Sequence, residues 1–452
     1  MLRSFIRIRK LEKTTTDKKS EIKNEIMRLI SDYHKEAFPE KKFIFGSSVV
    51  PVSGKIFDEK ELQALVDASL DGWFTTGRYN DAFEKALGKY IGIPKVLTVN
   101  SGSSANLLAV SALTDQSLGN RAIQPGDEVI TVAVSFPTTI NPWILYGVIP
   151  VFVDIDVPTY NIKVEEITKA ITPRTKAIMV AHTLGNPFDV EKVAAIAKMH
   201  NLWLIEDCCD ALGATVNGKH VGTFGDIGTL SFYPAHHITT GEGGAVFTKS
   251  AKLATIMESF RDWGRDCWCA SGCDNTCGKR FEWQLGDLPY GYDHKYIYSR
   301  IGYNLKITDM QAALGLAQLE KIETFISIRR RNFNRLTKGL EKLSNKIILP
   351  QATEGTSPSW FGYVISIKPD SGINRNDLIQ KLTNAKIATR LLFAGDIRKQ
   401  PYFKDVVHRN SGTLVNTNLV LHNTFWIGVT PMISDEMVDY IIEVISKELN
   451  TL

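Results

Sequence analysis

Seven short apolar runs punctuate residues 95 to 249: KVLTVN, EVITVAV, IPVFVDI, AIMVAH, LWLIED, IGTLSFY and GAVFTK. Most are separated by segments of helical length, such as SSANLLAVSAL, TTINPWILYG, KVEEITKAI and DVEKVAAIAKMH. Strands that are apolar at nearly every position are buried on both faces, so the pattern predicts a mostly parallel sheet covered by helices on each side. A long helical stretch, MQAALGLAQLEKIETFISIRRRNFNRLTKGLEKL, follows. After it the pattern changes to a strand (WFGYVISIK), a helix (NRNDLIQKLTNA) and a final helix (DEMVDYIIEVISKEL), which predicts a smaller α+β domain. The division expected is an N-terminal extension over 1–45, a large α/β domain over 46–325 and a small domain over 326–452.

The first segment has its own periodicity. In SEIKNEIMRLISDYHKEAF, Ile22, Ile26, Leu29 and Tyr33 share one helical face with Ile30 at its edge. An amphipathic helix starting near Ser20 is predicted, lying on the main domain or on a second subunit, with a frayed extension before it. The leader MLRSFIRIRK is basic, but Glu12 and Asp17 follow and there is neither an apolar core segment nor a small-residue cleavage site. A targeting peptide is therefore disfavoured.

Charge sharpens this picture. Of the 53 Lys/Arg and 49 Asp/Glu, residues 1–42 hold twelve and seven, so the other 410 residues carry about −1. A body without basic excess argues against a nucleic-acid groove. No apolar run reaches the roughly 18 residues of a membrane span.

Ligands in open α/β sheets bind beyond the carboxyl ends of the strands, and three motifs fall there. VNSGSSANLL is a strand, a Gly/Ser turn and a helix start, where the N–H groups of Gly102 and Ser103 can hold a phosphate. LWLIEDCCDALG ends a buried strand on Glu206 and Asp207, and an acid there either caps a helix or pairs with a pyridinium nitrogen. SFYPAHHITTGEGG follows another strand, and its glycines allow a tight return.

In this order and spacing, together with WFTTGRYNDAFEKAL, SFPTTINPW, TLGNPFDV and GYNLKITDMQAALGLAQLEK, the three motifs resemble the DegT/DnrJ/StrS sugar aminotransferase family over about residues 45–450. The resemblance implies a fold-type I vitamin B6 transferase: a large, mostly parallel sheet domain plus a smaller C-terminal α+β domain. It implies that Asp207 pairs with the pyridinium nitrogen and that Phe136 stacks on the ring. Gly102, Ser103 and Ser231 would hold the phosphate, joined by Asn304 of a neighbouring subunit in a homodimer. Asp210 and Tyr233 would flank the ring.

The sequence departs from the family at one position. His236 stands where the Schiff-base lysine is expected, and Asp210 where most members carry Gln or His. Without that lysine the cofactor implied is pyridoxamine phosphate (PMP, the amine form of pyridoxal phosphate, PLP), held noncovalently. An imidazole moves protons near neutral pH but cannot release product by exchanging a protein amine. That biases the chemistry from amino transfer toward loss of a hydroxyl, with His236 as the base. His237 and Arg390 (in TRLLFAGDIRKQPYF) are substrate-site candidates.

All six cysteines, Cys208, Cys209, Cys267, Cys269, Cys273 and Cys277, lie within seventy residues. Four of them fall in DCWCASGCDNTCGKRF, part of an insert at about 264–298. Such a set suits either a zinc knot or an iron–sulfur cluster, and spacing leaves both open. The spacing C-x57-C-x-C-x7-C of Cys209, Cys267, Cys269 and Cys277 is similar to that of one branch of the family, the CDP-4-keto-6-deoxy-D-glucose 3-dehydrases of lipopolysaccharide biosynthesis. That resemblance implies that these four residues ligate a 2Fe–2S cluster. It also implies a CDP-4-keto-6-deoxy-D-glucose substrate, an NADH-dependent flavin/iron–sulfur reductase as partner, and a cytoplasmic enzyme of dideoxyhexose and O-antigen synthesis. Cys208 and Cys273 are left as small buried side chains. The competing readings are a GDP-4-keto-6-deoxymannose 3-dehydratase, an ordinary sugar aminotransferase and a noncatalytic iron–sulfur sensor.

Overall fold

The computed structural model describes residues 2–269 and 272–450, with side chains described from Lys18 onward. All seven apolar runs are strands of one sheet. Its order is Lys95–Val99, Gly244–Thr248, Ile227–Ser231, Trp203–Asp207, Thr175–Ala181, Glu128–Val132, Ile149–Val153 and Arg409–Asn410. Neighbours are parallel except for the two pairs made by Gly244–Thr248. Alternate side chains explain the unbroken hydrophobicity. Ile130, Ile178 and Leu204 enter one core cluster, whereas Val129, Ala177 and Ile205 enter the cluster on the opposite face.

Beyond the large sheet, Ile347–Ile348, Gly362–Ile367, Thr424–Gly428 and Thr389–Arg390 form a second, antiparallel sheet. It packs with the helices Arg375–Asn384 and Asp435–Asn450 around its own core of Leu336, Tyr363, Phe425 and Ile441. The eighth strand of the large sheet, Arg409–Asn410, comes from this C-terminal part of the chain. Arg409 Nη2 donates to Glu128 Oε2 (2.9 Å) and to the Ala170 carbonyl (2.7 Å). A few residues on, the N–H groups of Asn416 and Thr417 both donate to the buried carboxylate of Asp154, each at 2.9 Å.

Two helices differ from the sequence reading. The first runs unbroken over Leu2–Ala37, so Ser20 lies inside it rather than capping it. No proline or glycine precedes Pro39, so nothing in the backbone chemistry stops it earlier. Its predicted face is also split: Ile22, Leu29 and Tyr33 are exposed, while Ile26 and Ile30 are only half-buried. The long stretch after residue 308 is two helices, Asp309–Leu319 and Ile322–Leu340. At the break, Lys321 Nζ donates to both oxygens of buried Glu61 (2.7 Å each). Among the described residues no helix is long and apolar enough to cross a membrane.

Candidate active site

The parallel strands present their carboxyl ends to a cavity of about 760 Å³ between the large sheet and the smaller one. Each terminus delivers a different chemistry. After Val99 the chain turns into the helix Gly102–Leu113, capped by Ser101, whose hydroxyl accepts from Ser104 N–H (3.0 Å). The first N–H groups of a helix have no intrahelical acceptors, which makes this end an anion site. Gly102 is required here by space: a Cβ would lie 2.4 Å from Ser231 Cβ and 3.1 Å from Cys209 Sγ. Ser103 and Ser231 flank the same turn and line the cavity.

At the end of the central strand the two acids divide by the alternation of the pleat. Glu206 is fully buried and accepts from the N–H groups of Gly222 (2.6 Å), Phe224 (2.8 Å) and Gly225 (2.6 Å), with His182 Nε2 at 3.2 Å. His182 Nδ1 in turn accepts from Phe188 N–H, so this group, with Cys208 beside it, is a satisfied structural clamp. Asp207 faces the cavity. Its Oδ2 accepts from Asn106 Nδ2 and Thr139 Oγ1 (2.8 Å each), and its Oδ1 from Cys209 N–H (3.1 Å). Sequence reasoning did not single out Asn106 or Thr139. Their only signal is an amide within the apolar helix NLLAVSAL and a hydroxyl one turn after Phe136.

Phe136 is 53% exposed and caps the helix Pro137–Leu145, which leaves a free ring face in the cavity lining. Among the described residues His236 is the one imidazole in that lining. Its Nδ1 lies 3.3 Å from Asp210 Oδ1, close enough for charge pairing but without hydrogen-bond alignment. Tyr233 also lines the cavity, as does the exposed Arg390.

Two candidates stand elsewhere. His237 does not line this cavity; it is buried, and its Nε2 donates to the Ser359 carbonyl (2.8 Å). Burial, with the Arg329 cation nearby, holds its imidazole well below its usual range, so the ring is a neutral structural donor and not a substrate contact. Arg329, itself buried, is pushed down to about 10 by desolvation. Asn304 is exposed and pairs with Asp262 away from its own chain's cavity.

The cysteines separate into two groups. Cys209 lines the main cavity, whereas Cys267, Cys269 and Cys277 line a second cleft within the insert. Cys269 is held below its usual range by the Thr276 hydroxyl, which donates to Sγ at 3.0 Å. Within this single chain, three thiols of the expected four-thiolate set come together and the fourth stands at the strand end. Cys208 is buried as expected; Cys273 is exposed, because its loop has no core beneath it.

Known proteins place this geometry. Residues 55–446 match the model of the DegT/DnrJ/EryC1/StrS aminotransferase family. The chain is 62% identical over 421 residues to the lipopolysaccharide biosynthesis protein RfbH of Salmonella typhimurium, covering 93% of this chain and 96% of that one. It is 51% identical over 434 residues to the dTDP-4-dehydro-2,6-dideoxy-D-glucose 3-dehydratase of Saccharopolyspora spinosa, covering 96% and 94%. Among solved structures, it resembles E. coli GDP-4-keto-6-deoxy-D-mannose-3-dehydratase with bound hydrated PLP: TM-score 0.79, 31% identity, 87% of this chain and 98% of that one.

Proposed function

This chain belongs to the DegT/DnrJ/EryC1/StrS aminotransferase family, and on that premise we propose that it is not an aminotransferase but a 3-dehydratase of a nucleotide-linked 4-keto-6-deoxy sugar. The observation that carries the reading is His236, which puts an imidazole and not a lysine in the cofactor cavity and is the one imidazole of its lining among the described residues. The relatives support the reaction class by name, and RfbH supports lipopolysaccharide biosynthesis as the setting. CDP-4-keto-6-deoxy-D-glucose is the substrate proposed, with the dTDP and GDP sugars of those relatives as competitors.

The residues fit a pyridoxamine or pyridoxal phosphate. The Gly102 turn leaves a cradle that a Cβ would fill, at a helix start flanked by Ser103 and Ser231. Asp207, fixed by Asn106 and Thr139, is the carboxylate to hold a proton on the ring nitrogen, and Phe136 is the ring's platform. The cofactor supplies an amine for the 4-keto carbon and an electron sink. His236 then moves the proton at the cofactor's C4′ carbon. Asp210 places a carboxylate oxygen 3.3 Å from Nδ1, on the side of the ring away from the nitrogen proposed to carry the proton. With no lysine at position 236 the cofactor is held by noncovalent contacts.

The insert extends the proposal. Cys267, Cys269 and Cys277 supply three thiolates for a 2Fe–2S cluster, and the spacing names Cys209 as the fourth. A cluster would accept electrons singly from an NADH-dependent flavin/iron–sulfur reductase and convert dehydration into net deoxygenation at C3. A homodimer would bring the exposed Asn304 of one subunit to the phosphate of the other.

The deciding experiment offers purified CDP-, dTDP- and GDP-4-keto-6-deoxy sugars to the protein with PMP, without and with an amino donor, and reads products by mass. Loss of water from one of them supports the reading. A 4-amino sugar formed at a comparable rate refutes it.

A further inference from the structure

The segment TRLLFAGDIRKQPYF takes no part in the proton chemistry of His236, yet it runs from one lobe to the other along the cavity wall. It begins as the edge strand Thr389–Arg390 of the smaller sheet, where Arg390 lies opposite Trp426. Trp426 Nε1 donates to the Leu391 carbonyl (3.1 Å). The chain then lands on the large domain. The N–H groups of Ala394 and Ile397 donate to the carbonyls of Ser135 (3.3 Å) and Ala133 (3.0 Å), just before Phe136. Between these two anchorages Phe393 is held at φ 47°, in the left-handed region. A bulky side chain is strained there, and such strain persists where the surroundings fix the backbone, commonly at ligand sites.

What this fixed segment presents to the cavity is a cation. Among the described residues Arg390 is the one Lys or Arg in the lining. Its guanidinium is exposed and uncommitted: Nη1 donates to the Thr389 carbonyl (2.8 Å), and among the described residues it forms no ion pair. Arg398, further along the same segment, is by contrast taken by Asp396 (2.8 and 2.6 Å). The lining also holds three carboxylates, those of Asp207, Asp210 and Glu242. The helix start at Gly102 serves the cofactor's phosphate. A second phosphorylated ligand entering a lining with more carboxylates than cations requires a cation of its own. A guanidinium suits it, because its planar fork donates two charge-assisted hydrogen bonds to phosphate oxygens at once.

We propose that Arg390 anchors the diphosphate of the nucleotide-linked sugar, held in place on the small-lobe wall of the cavity by the strained segment Arg390–Ala394. The proposal rests on the nucleotide-sugar reading given above and adds the residue that recognises the nucleotide. A diphosphate is common to CDP, dTDP and GDP sugars. Arg390 therefore selects a sugar that arrives as its nucleoside diphosphate, and it does not select the base. It is a binding residue, so its contribution falls on KM far more than on kcat.

The test titrates the full-length, PMP-loaded protein with CDP and with cytidine by calorimetry, at low and high salt, and repeats the titration with dTDP and GDP. Arg390→Ala is expected to weaken CDP binding by roughly 10- to 150-fold, the share of a charge-assisted hydrogen bond. Cytidine and PMP binding stay within about twofold of wild type, because neither uses the anchor. Arg390→Lys recovers part of the loss, since an ammonium keeps the charge without the fork. Salt weakens CDP binding more steeply in wild type than in Arg390→Ala. Any of dTDP and GDP that binds loses affinity by a similar factor. CDP affinity within twofold of wild type in Arg390→Ala overturns the anchor, as does an equal loss of CDP and cytidine or a loss confined to one base. The two readings fail separately. A protein that binds CDP through Arg390 but removes water from no sugar keeps the anchor and loses the dehydratase. Dehydration by Arg390→Ala at the wild-type KM does the reverse.

Discussion

Gly102→Ala is the sharpest test of the phosphate cradle, because its effect can be worked from the coordinates. The added Cβ would sit 2.4 Å from Ser231 Cβ and 2.8 Å from its Oγ, where ordinary contact begins at 3.4 Å. About 1 Å must be found. Ser231 ends a strand buried at every position and cannot yield it, so the helix start has to move. Overpacking of this kind costs about 1–3 kcal/mol. Where the displaced atoms are the N–H groups that meet a phosphate, most of that cost falls on binding, a loss of roughly 5- to 150-fold in PMP affinity. The assay is equilibrium dialysis or fluorescence titration with PMP, alongside thermal melting of the apoprotein. Ser103→Ala is the comparison: it removes one hydroxyl and adds no bulk, so about 0.5–1.5 kcal/mol, or roughly 2- to 12-fold, is expected. If Gly102→Ala binds PMP within twofold of wild type and melts at the same temperature, the cradle has been placed wrongly.

Further expectations concern the histidines and the missing lysine. His236→Asn retains PMP binding but loses dehydration and C4′ proton exchange by roughly 10²-fold or more; a wild-type rate would remove His236 as the base. Borohydride treatment of the PLP-loaded protein leaves no reduced cofactor on the polypeptide, and a phosphopyridoxyl-lysine found by peptide mapping would contradict noncovalent holding. His237 is buried neutral with its folded-state proton affinity lowered, so below pH about 6.5 the unfolded chain takes up a proton that the folded one refuses. Stability therefore falls as pH falls through that range, by up to about 1.4 kcal/mol per pH unit for this group, and denaturant titrations of His237→Gln show a shallower slope. An unchanged slope would mean that the ring is not held neutral.

The strands were legible because burial on both faces imposes apolar residues at consecutive positions, as in Glu128–Val132, and no other element of that length does so. The carboxyl-end motifs were legible for a related reason: phosphate turns and strand-end acids need particular residue types. Which of two adjacent acids faces the cavity depends on strand register, so the strand pattern left Glu206 and Asp207 equivalent and only the family resemblance chose Asp207. Asn106 and Thr139 act through Asp207, 101 and 68 residues away, and only folding joins them. Helix ends were misjudged where no breaker was present, as at Ser20, or where a tertiary ion pair intervened, as at Lys321.

The two-residue strand Arg409–Asn410 limits how this molecule can be taken apart. It covers the flank of Ile149–Val153, whose backbone would otherwise be an open, apolar edge ready to pair with another chain. Cut before residue 409, the large sheet loses that cover, the Arg409 partner of Glu128 and the donors to Asp154 together. The N-terminal nine-tenths is thus a poor free-standing module, prone to self-association. The C-terminal lobe is tied into the sheet beyond its own core, so swinging it away as a rigid flap would have to break that pairing. Movements of exposed lining side chains, such as Tyr233 and Arg390, break no such pairing.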